Sequence, residues 1–163
     1  MILRILFLMF LFISSLLSDS FNFSEVRYSD ALERSIKLKG EITFEKNSLH
    51  IKYNDSERSI LYKDSVLTLK ENDRTVELEE AELQRVSQFF EILLLLHSGD
   101  ESALNDKFDM QRFEDKSMLI PKGYIGNFVQ KIELKKLNKE LKEVSLFLKN
   151  SDYITISIED EIR

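Results

Sequence analysis

The segment Phe89-Phe90-Glu91-Ile92-Leu93-Leu94-Leu95-Leu96 is apolar at every position but Glu91. The ten residues before it, from about position 79, are polar, with Leu83 and Val86 spaced for one apolar stripe of a helix. Together they predict a helix whose second half is apolar all round. Such a helix cannot lie on a surface with one face in water. It is also too short to span a bilayer, which takes about 20 apolar residues. The remaining solution is a helix held in a trough of sheet.

The rest of the chain supplies the sheet. In positions 36–45, Ile36, Leu38, Gly40, Ile42 and Phe44 alternate with polar residues, the pattern of a strand with one wet face. Gly40 on the inner face marks a bend or a close backbone approach. Leu49, Ile51 and Tyr53 repeat the alternation after a turn at Lys46-Asn47-Ser48. Short strands at 59–62, 66–69 and 75–78 follow, separated by Lys63-Asp64-Ser65 and Glu71-Asn72-Asp73, all turn formers. A five-strand antiparallel meander is expected. Beyond the helix, His97-Ser98-Gly99-Asp100 breaks the run and 101–106 suits a short helical turn. Strands are expected at 107–112, 116–120, 129–137, 142–149 and 153–159, the last two pairs joined by turns at 138–140 and 150–152. Ahead of all these, Val26, Ala31 and Leu32 suggest a short helix over 24–34. Roughly ten strands with one apolar face each, interrupted by one apolar helix, predict an α+β fold. A twisted sheet of that size curls, giving a strongly curved, half-open, incomplete β-barrel wrapped around the helix.

Residues 1–20 have the form of a secretory signal peptide: basic Arg4, an apolar core from Ile5 to Ile13, and a small, polar end. Cleavage after Ser18 or Ser20 puts a small residue before the cut. An uncleaved anchor is the competing reading. Removing 20 of 163 residues leaves 143, enough for one domain over 21–163 with one core. The chain has no cysteine, which excludes disulfides and lipid attachment through a cysteine. A net charge of -6, with lysines scattered among glutamates, is contrary to nucleic-acid binding.

The order of these parts resembles the periplasmic outer-membrane lipoprotein carriers, LolA and its relatives. The matching run is Gly40 to Tyr53, where the family has a glycine, an alternating strand, a basic turn and a Leu-Arg-Trp-x-Tyr-like strand. Leu61 to Leu69, Leu93 to Phe108, Leu119-Ile120-Pro121, Ile132-Glu133-Leu134 and Ile154-Thr155-Ile156 echo later segments. Three positions depart from the pattern: His50 replaces the family's arginine, Ile51 the tryptophan after it, and Asn47 the proline of the basic turn. In the family that arginine helps hold the closed state and governs cargo release, so the cargo here is open even where the fold agrees.

The resemblance implies a periplasmic monomer that shuttles lipoprotein or another lipid between an inner-membrane transporter and an outer-membrane acceptor, without enzymatic activity. A sensor or regulatory domain on the same fold, binding a lipid or protein signal without transport, is the alternative. The expected acyl-binding residues are Ile36, Leu38, Ile42, Phe44, Leu49, Ile51, Tyr53, Phe89, Phe90, Leu93 and Leu94, each of which also suits plain core. Loops near Gly99 and 121–126 are candidate lids. His50 falls on the polar strand face and Glu91 inside the apolar run; each is a candidate gating residue beside its simpler role as strand surface or trough rim. His97 suits the helix C-terminus, and Glu79, Glu80 and Glu82 its N-terminus. Two histidines and no cysteine give no metal-ligand spacing. No phosphate loop, nucleophile elbow or catalytic triad pattern is visible, and no cofactor is expected.

Overall fold

The computed structural model describes residues 18–137 and 140–162. These hold eleven strands: β1 (Asp19–Ser29), β2 (Arg34–Glu45), β3 (Ser48–Tyr53), β4 (Arg58–Lys63), β5 (Val66–Glu71), β6 (Arg74–Val76), β7 (Phe108–Arg112), β8 (Lys116–Pro121), β9 (Val129–Leu137), β10 (Glu140–Leu148) and β11 (Tyr153–Glu161). Helices α1 (Glu80–Ser98) and α2 (Glu101–Lys107) lie between β6 and β7, and a 3-10 turn spans Gly123–Asn127. All strands join one curved, open antiparallel sheet in the order β6-β5-β4-β3-β2-β1-β11-β10-β9-β8-β7. It is two meanders zipped together along β1 and β11.

This topology explains the position of α1. The chain leaves the first meander at edge β6 and enters the second at the opposite edge, β7. The connection crosses the concave side, so its helix must carry apolar residues toward both flanks. Phe90, Ile92 and Leu93 are buried there, whereas Leu94, Leu95 and Leu96 are half-buried against the core and Glu91 is exposed. Acidic Glu80 and Glu82 fill the first turn and His97 the last, in agreement with the helix dipole. Gly99 ends the helix at φ 67°, the left-handed conformation of a C-terminal cap. Asp100 caps α2 by accepting a bond from the Ala103 N–H at 3.0 Å.

The predicted five-strand meander is present as β2 to β6. Its last two hairpins turn on Asp64-Ser65 and Asn72-Asp73, with positive φ at both residues of each pair, as type I′ turns require. The expected helix over 24–34 is not present: residues 19–29 form the central strand β1, and residues 30–33 its turn into β2. In that turn Glu33 has φ 49° and its N–H donates to the Asp30 carbonyl. Leu32, expected to line one side of that helix, is 69% exposed. The inward positions of β1 are Phe21, Phe23, Glu25 and Arg27. Two charged residues on an inner face interrupt the apolar alternation that reveals the other strands.

Gly40 pairs with Phe23 on one side and Tyr53 on the other. A Cβ there would come within 2.1 Å of the Lys52 carbonyl oxygen and 2.9 Å of the Phe23 ring. The glycine therefore serves the expected close backbone approach, and the Phe23 and Tyr53 rings meet edge-on across it at 5.8 Å. On the convex face Tyr28, Tyr153 and Phe147 form a cross-strand ladder that fixes register where β1, β11 and β10 join.

The signal-peptide reading of residues 1–20 falls, up to position 17, outside the described residues, as do positions 138 and 139 of the β9–β10 turn. Asp19 and Ser20 belong to β1, opposite Phe44 and Thr43. Among the described residues no helix is long and apolar enough to cross a membrane.

Candidate functional site: a cavity under the first half of the helix

Along the trough, α1 fills one end and leaves space at the other. Around the last helical turns, Phe44 stacks on His97 with ring centroids 3.9 Å apart, and Phe21 packs edge-on against both. The His97 Nε2 lies 3.2 Å from Asp19 Oδ2, tying the helix end to the start of β1. Leu49, Ile42 and Leu93 complete a solid core.

Under the first helical turns the trough holds a cavity of about 580 Å³. Its sheet wall comes from Ile51 and Tyr53 of β3, Ile60 of β4, Leu67 and Leu69 of β5, Leu146 and Leu148 of β10, and Ile154 and Ile156 of β11. The helix contributes Val86, Phe89, Phe90 and Ile92, with Glu82, Arg85 and Gln88 toward the rim. Ile125 and Phe128 close part of the remaining side. The sequence explains the space: between Glu82 and Gln88 only Leu83 and Val86 are large and apolar, too little to fill the trough as the leucines do further along.

One polar cluster interrupts the apolar wall. Glu25 is 2% exposed. Its carboxylate accepts one bond from Arg27 Nε and another from Tyr53 Oη at 3.0 Å. Arg27 Nη2 in turn donates to Tyr53 Oη at 2.8 Å, closing a triangle. A carboxylate this deep is tolerable only when paired and hydrogen-bonded. Burial opposes the charge on Arg27, but the adjoining Glu25 outweighs it and holds the guanidinium above its ordinary pKa. Burial first, and then the Glu25 charge, push the Tyr53 phenol well above its usual value, so it remains a donor. Sequence reasoning missed Glu25 and Arg27. The signal lay in the alternation Phe21, Phe23, Glu25, Arg27, legible once an ion pair is allowed on an inner face.

Of the predicted acyl-binding residues, Ile51, Tyr53, Phe89 and Phe90 line the cavity. Ile42, Phe44, Leu49 and Leu93 lie in the packed core, and Leu38 and Leu94 are half-buried beside it. Ile36 is 60% exposed, because β2 extends beyond the end of β3, which stops opposite Gly40. His50 sits half-buried on the convex face, between Thr43 and Leu61. Burial, and then the charge of Lys52, hold its pKa below the ordinary histidine value. Glu91 points outward and pairs with Lys107 at the trough rim. Neither candidate gating residue lines the cavity.

Of the two candidate lids, the segment after Pro121 reaches the cavity and the Gly99 loop does not. Gly123 takes φ 62° to start the 3-10 turn, which carries Ile125 and Asn127 to the cavity. Tyr124 donates from its hydroxyl to Gln84 Oε1 of α1 at 3.1 Å. This bond and the edge-on packing of Tyr124 on Phe128 hold the turn against the helix.

No protein-family model and no curated protein matches the chain. Among solved structures, a LolA superfamily protein from Nitrosomonas europaea matches with 9% identity and a TM-score of 0.43, covering 88% of this chain and 84% of its own. A domain from Vibrio parahaemolyticus, provisionally named as an outer membrane lipoprotein-sorting protein, matches with 7% identity and a TM-score of 0.27, covering 89% and 84%. Both likenesses extend over most of this chain.

Proposed function

We propose that the chain binds acyl chains in this cavity and, after export through a cleaved signal peptide, carries lipoprotein or another lipid from the inner to the outer membrane through the periplasm. The observation that carries the reading is the cavity itself: its volume falls in the range of ligand sites, about 300–1,000 Å³, and its wall is mostly aliphatic and aromatic. The sequence resemblance to the lipoprotein carriers supplies the direction of transport and its two membrane partners. Each CH₂ moved from water into such a wall contributes about 0.8 kcal/mol, which favours carrying an acyl chain through an aqueous space. The activity is physical rather than enzymatic: binding, shielding and release. Cleavage after Ser18 leaves β1 whole, with Asp19 beside His97.

The test is uptake of a fluorescent fatty-acyl probe by protein purified without detergent and freed of lipid. Saturable binding near one probe per chain, displaced by an acylated peptide, is expected. An absence of uptake contradicts the reading and turns attention to a protein ligand.

A further inference from the structure

An acyl chain needs only an apolar wall, yet this wall contains Glu25, Arg27 and Tyr53 among Ile51, Ile60, Ile154 and Ile156. Taking these charges into the trough is unfavourable compared with an apolar pair of similar size. Within the triangle, Glu25 has a partner on each oxygen, and Tyr53 both donates and accepts. Arg27 alone has donor capacity left. Its Nη1 hydrogens and one Nη2 hydrogen have no partner among the described residues, and its side chain, 37% exposed, lines the cavity.

The charge balance narrows what those donors suit. Arg27 is neutralised by Glu25, and Arg58, the next cation along the wall, pairs with Glu71 at 3.0 Å. The remaining charged lining residues, Glu82, Arg85, Lys149 and Asp152, are two of each sign. The cavity thus offers hydrogen-bond donors without net positive charge. A free carboxylate placed on Arg27 would sit close to the Glu25 carboxylate, which already neutralises that guanidinium. An uncharged acceptor brings no such repulsion.

We propose, on the basis of the acyl-binding reading above, that Glu25, Arg27 and Tyr53 form a carbonyl subsite. Arg27 receives the ester or amide carbonyl that links an acyl chain to its carrier molecule, and the paired Glu25 selects against free fatty acid. Tyr53 holds both side chains in place.

The test is displacement of an uncharged naphthylamine fluorophore from the full mature chain by methyl palmitate, palmitate and hexadecane. Methyl palmitate is expected to displace at a concentration about tenfold lower than either of the others, the effect of one hydrogen bond to a charged donor. In Glu25→Gln the guanidinium is no longer neutralised, and palmitate is expected to overtake the ester. A merely structural triangle would not produce that reversal. The double variant Glu25→Gln/Arg27→Gln removes both charges, serves if the single variant does not fold, and is expected to erase the ester preference while still binding the fluorophore. Equal displacement by all three compounds, or a preference for palmitate in the unaltered protein, overturns the subsite and leaves acyl binding standing. No displacement by any of them overturns both.

Discussion

The two ends of the trough share one sheet and one helix, yet one is packed solid and the other is left partly empty. At the C-terminal half of α1, leucines, Phe44 and the His97 ring fill the space, and Leu49 has no exposed surface at all. At the N-terminal half, Val86, Phe89, Leu148 and Ile154 remain half-buried around a cavity that also holds an ion pair. The run of greatest hydrophobicity therefore makes stability. The proposed site falls to the neighbouring turns, where the helix is too polar to fill the trough. An apolar stretch indicates where a core forms; a cavity forms where that core stops short.

The comparison can be broken most directly by truncating one side chain at each end. Leu49→Ala leaves a void in the packed end and is expected to reduce unfolding free energy by about 2–5 kcal/mol in denaturant titration, with acyl-probe affinity unchanged in the folded fraction. Leu148→Ala faces space that already exists. It is expected to reduce stability by about 1 kcal/mol or less, and to weaken probe binding about tenfold through lost apolar contact. The reverse pattern, a costly Leu148 and a silent Leu49, would show that the cavity end is the true core.

Between the two ends, Gly40→Ala forces a methyl group against the Lys52 carbonyl oxygen and the Phe23 ring. A loss of about 1–3 kcal/mol is expected in thermal or denaturant unfolding, because backbone has to move to relieve the overlap. Retained stability would mean that β2 and β3 are not held as closely as described. At the mouth, Tyr124→Phe removes only the bond to Gln84. Stability should change by less than about 0.5 kcal/mol, while stopped-flow release of a bound probe becomes a few-fold faster, the effect of one exposed hydrogen bond. An unchanged release rate would exclude the 3-10 turn as a lid.

The smallest effect concerns pH. His50 has a folded-state pKa depressed by burial and by Lys52. Its contribution to stability is therefore present above the unfolded histidine value, about 6.5, and is lost as pH falls through the lower folded value. His50→Gln should flatten this part of the stability profile and leave probe affinity unaltered, since the side chain is on the convex face. A change in affinity would restore His50 as a gating residue.

Much of the architecture was legible because alternation is unambiguous wherever one strand face is apolar and the other wet. Positions 36–45 and 153–159 show this, and the apolar second half of α1 required a sheet around it. β1 escaped because Glu25 and Arg27 occupy inward positions, and Ala31 with Leu32 completed a false helical stripe. The cavity residues were only partly legible. Inward direction follows from period, so Ile51, Tyr53, Phe89 and Phe90 could be named. Whether an inward side chain meets another side chain or open space depends on how far the helix fills the trough. Alternation alone could not separate Phe44, stacked on His97, from Tyr53, two positions beyond Ile51 on the cavity wall. Ile36 followed the period correctly but lies where β2 has outrun its neighbour.

The central claim is that the unfilled end of the trough is a lipid site. It is tested most directly by native mass spectrometry of the protein, purified without detergent from cells that produce the full chain, followed by organic extraction. The account predicts an added mass that extraction releases as acyl-containing material. In Leu148→Ala that mass should be depleted, and in Leu49→Ala it should persist on the folded fraction. Protein that emerges at its bare polypeptide mass, and that takes up no acyl compound when offered one, would contradict the account and leave the cavity as incomplete packing.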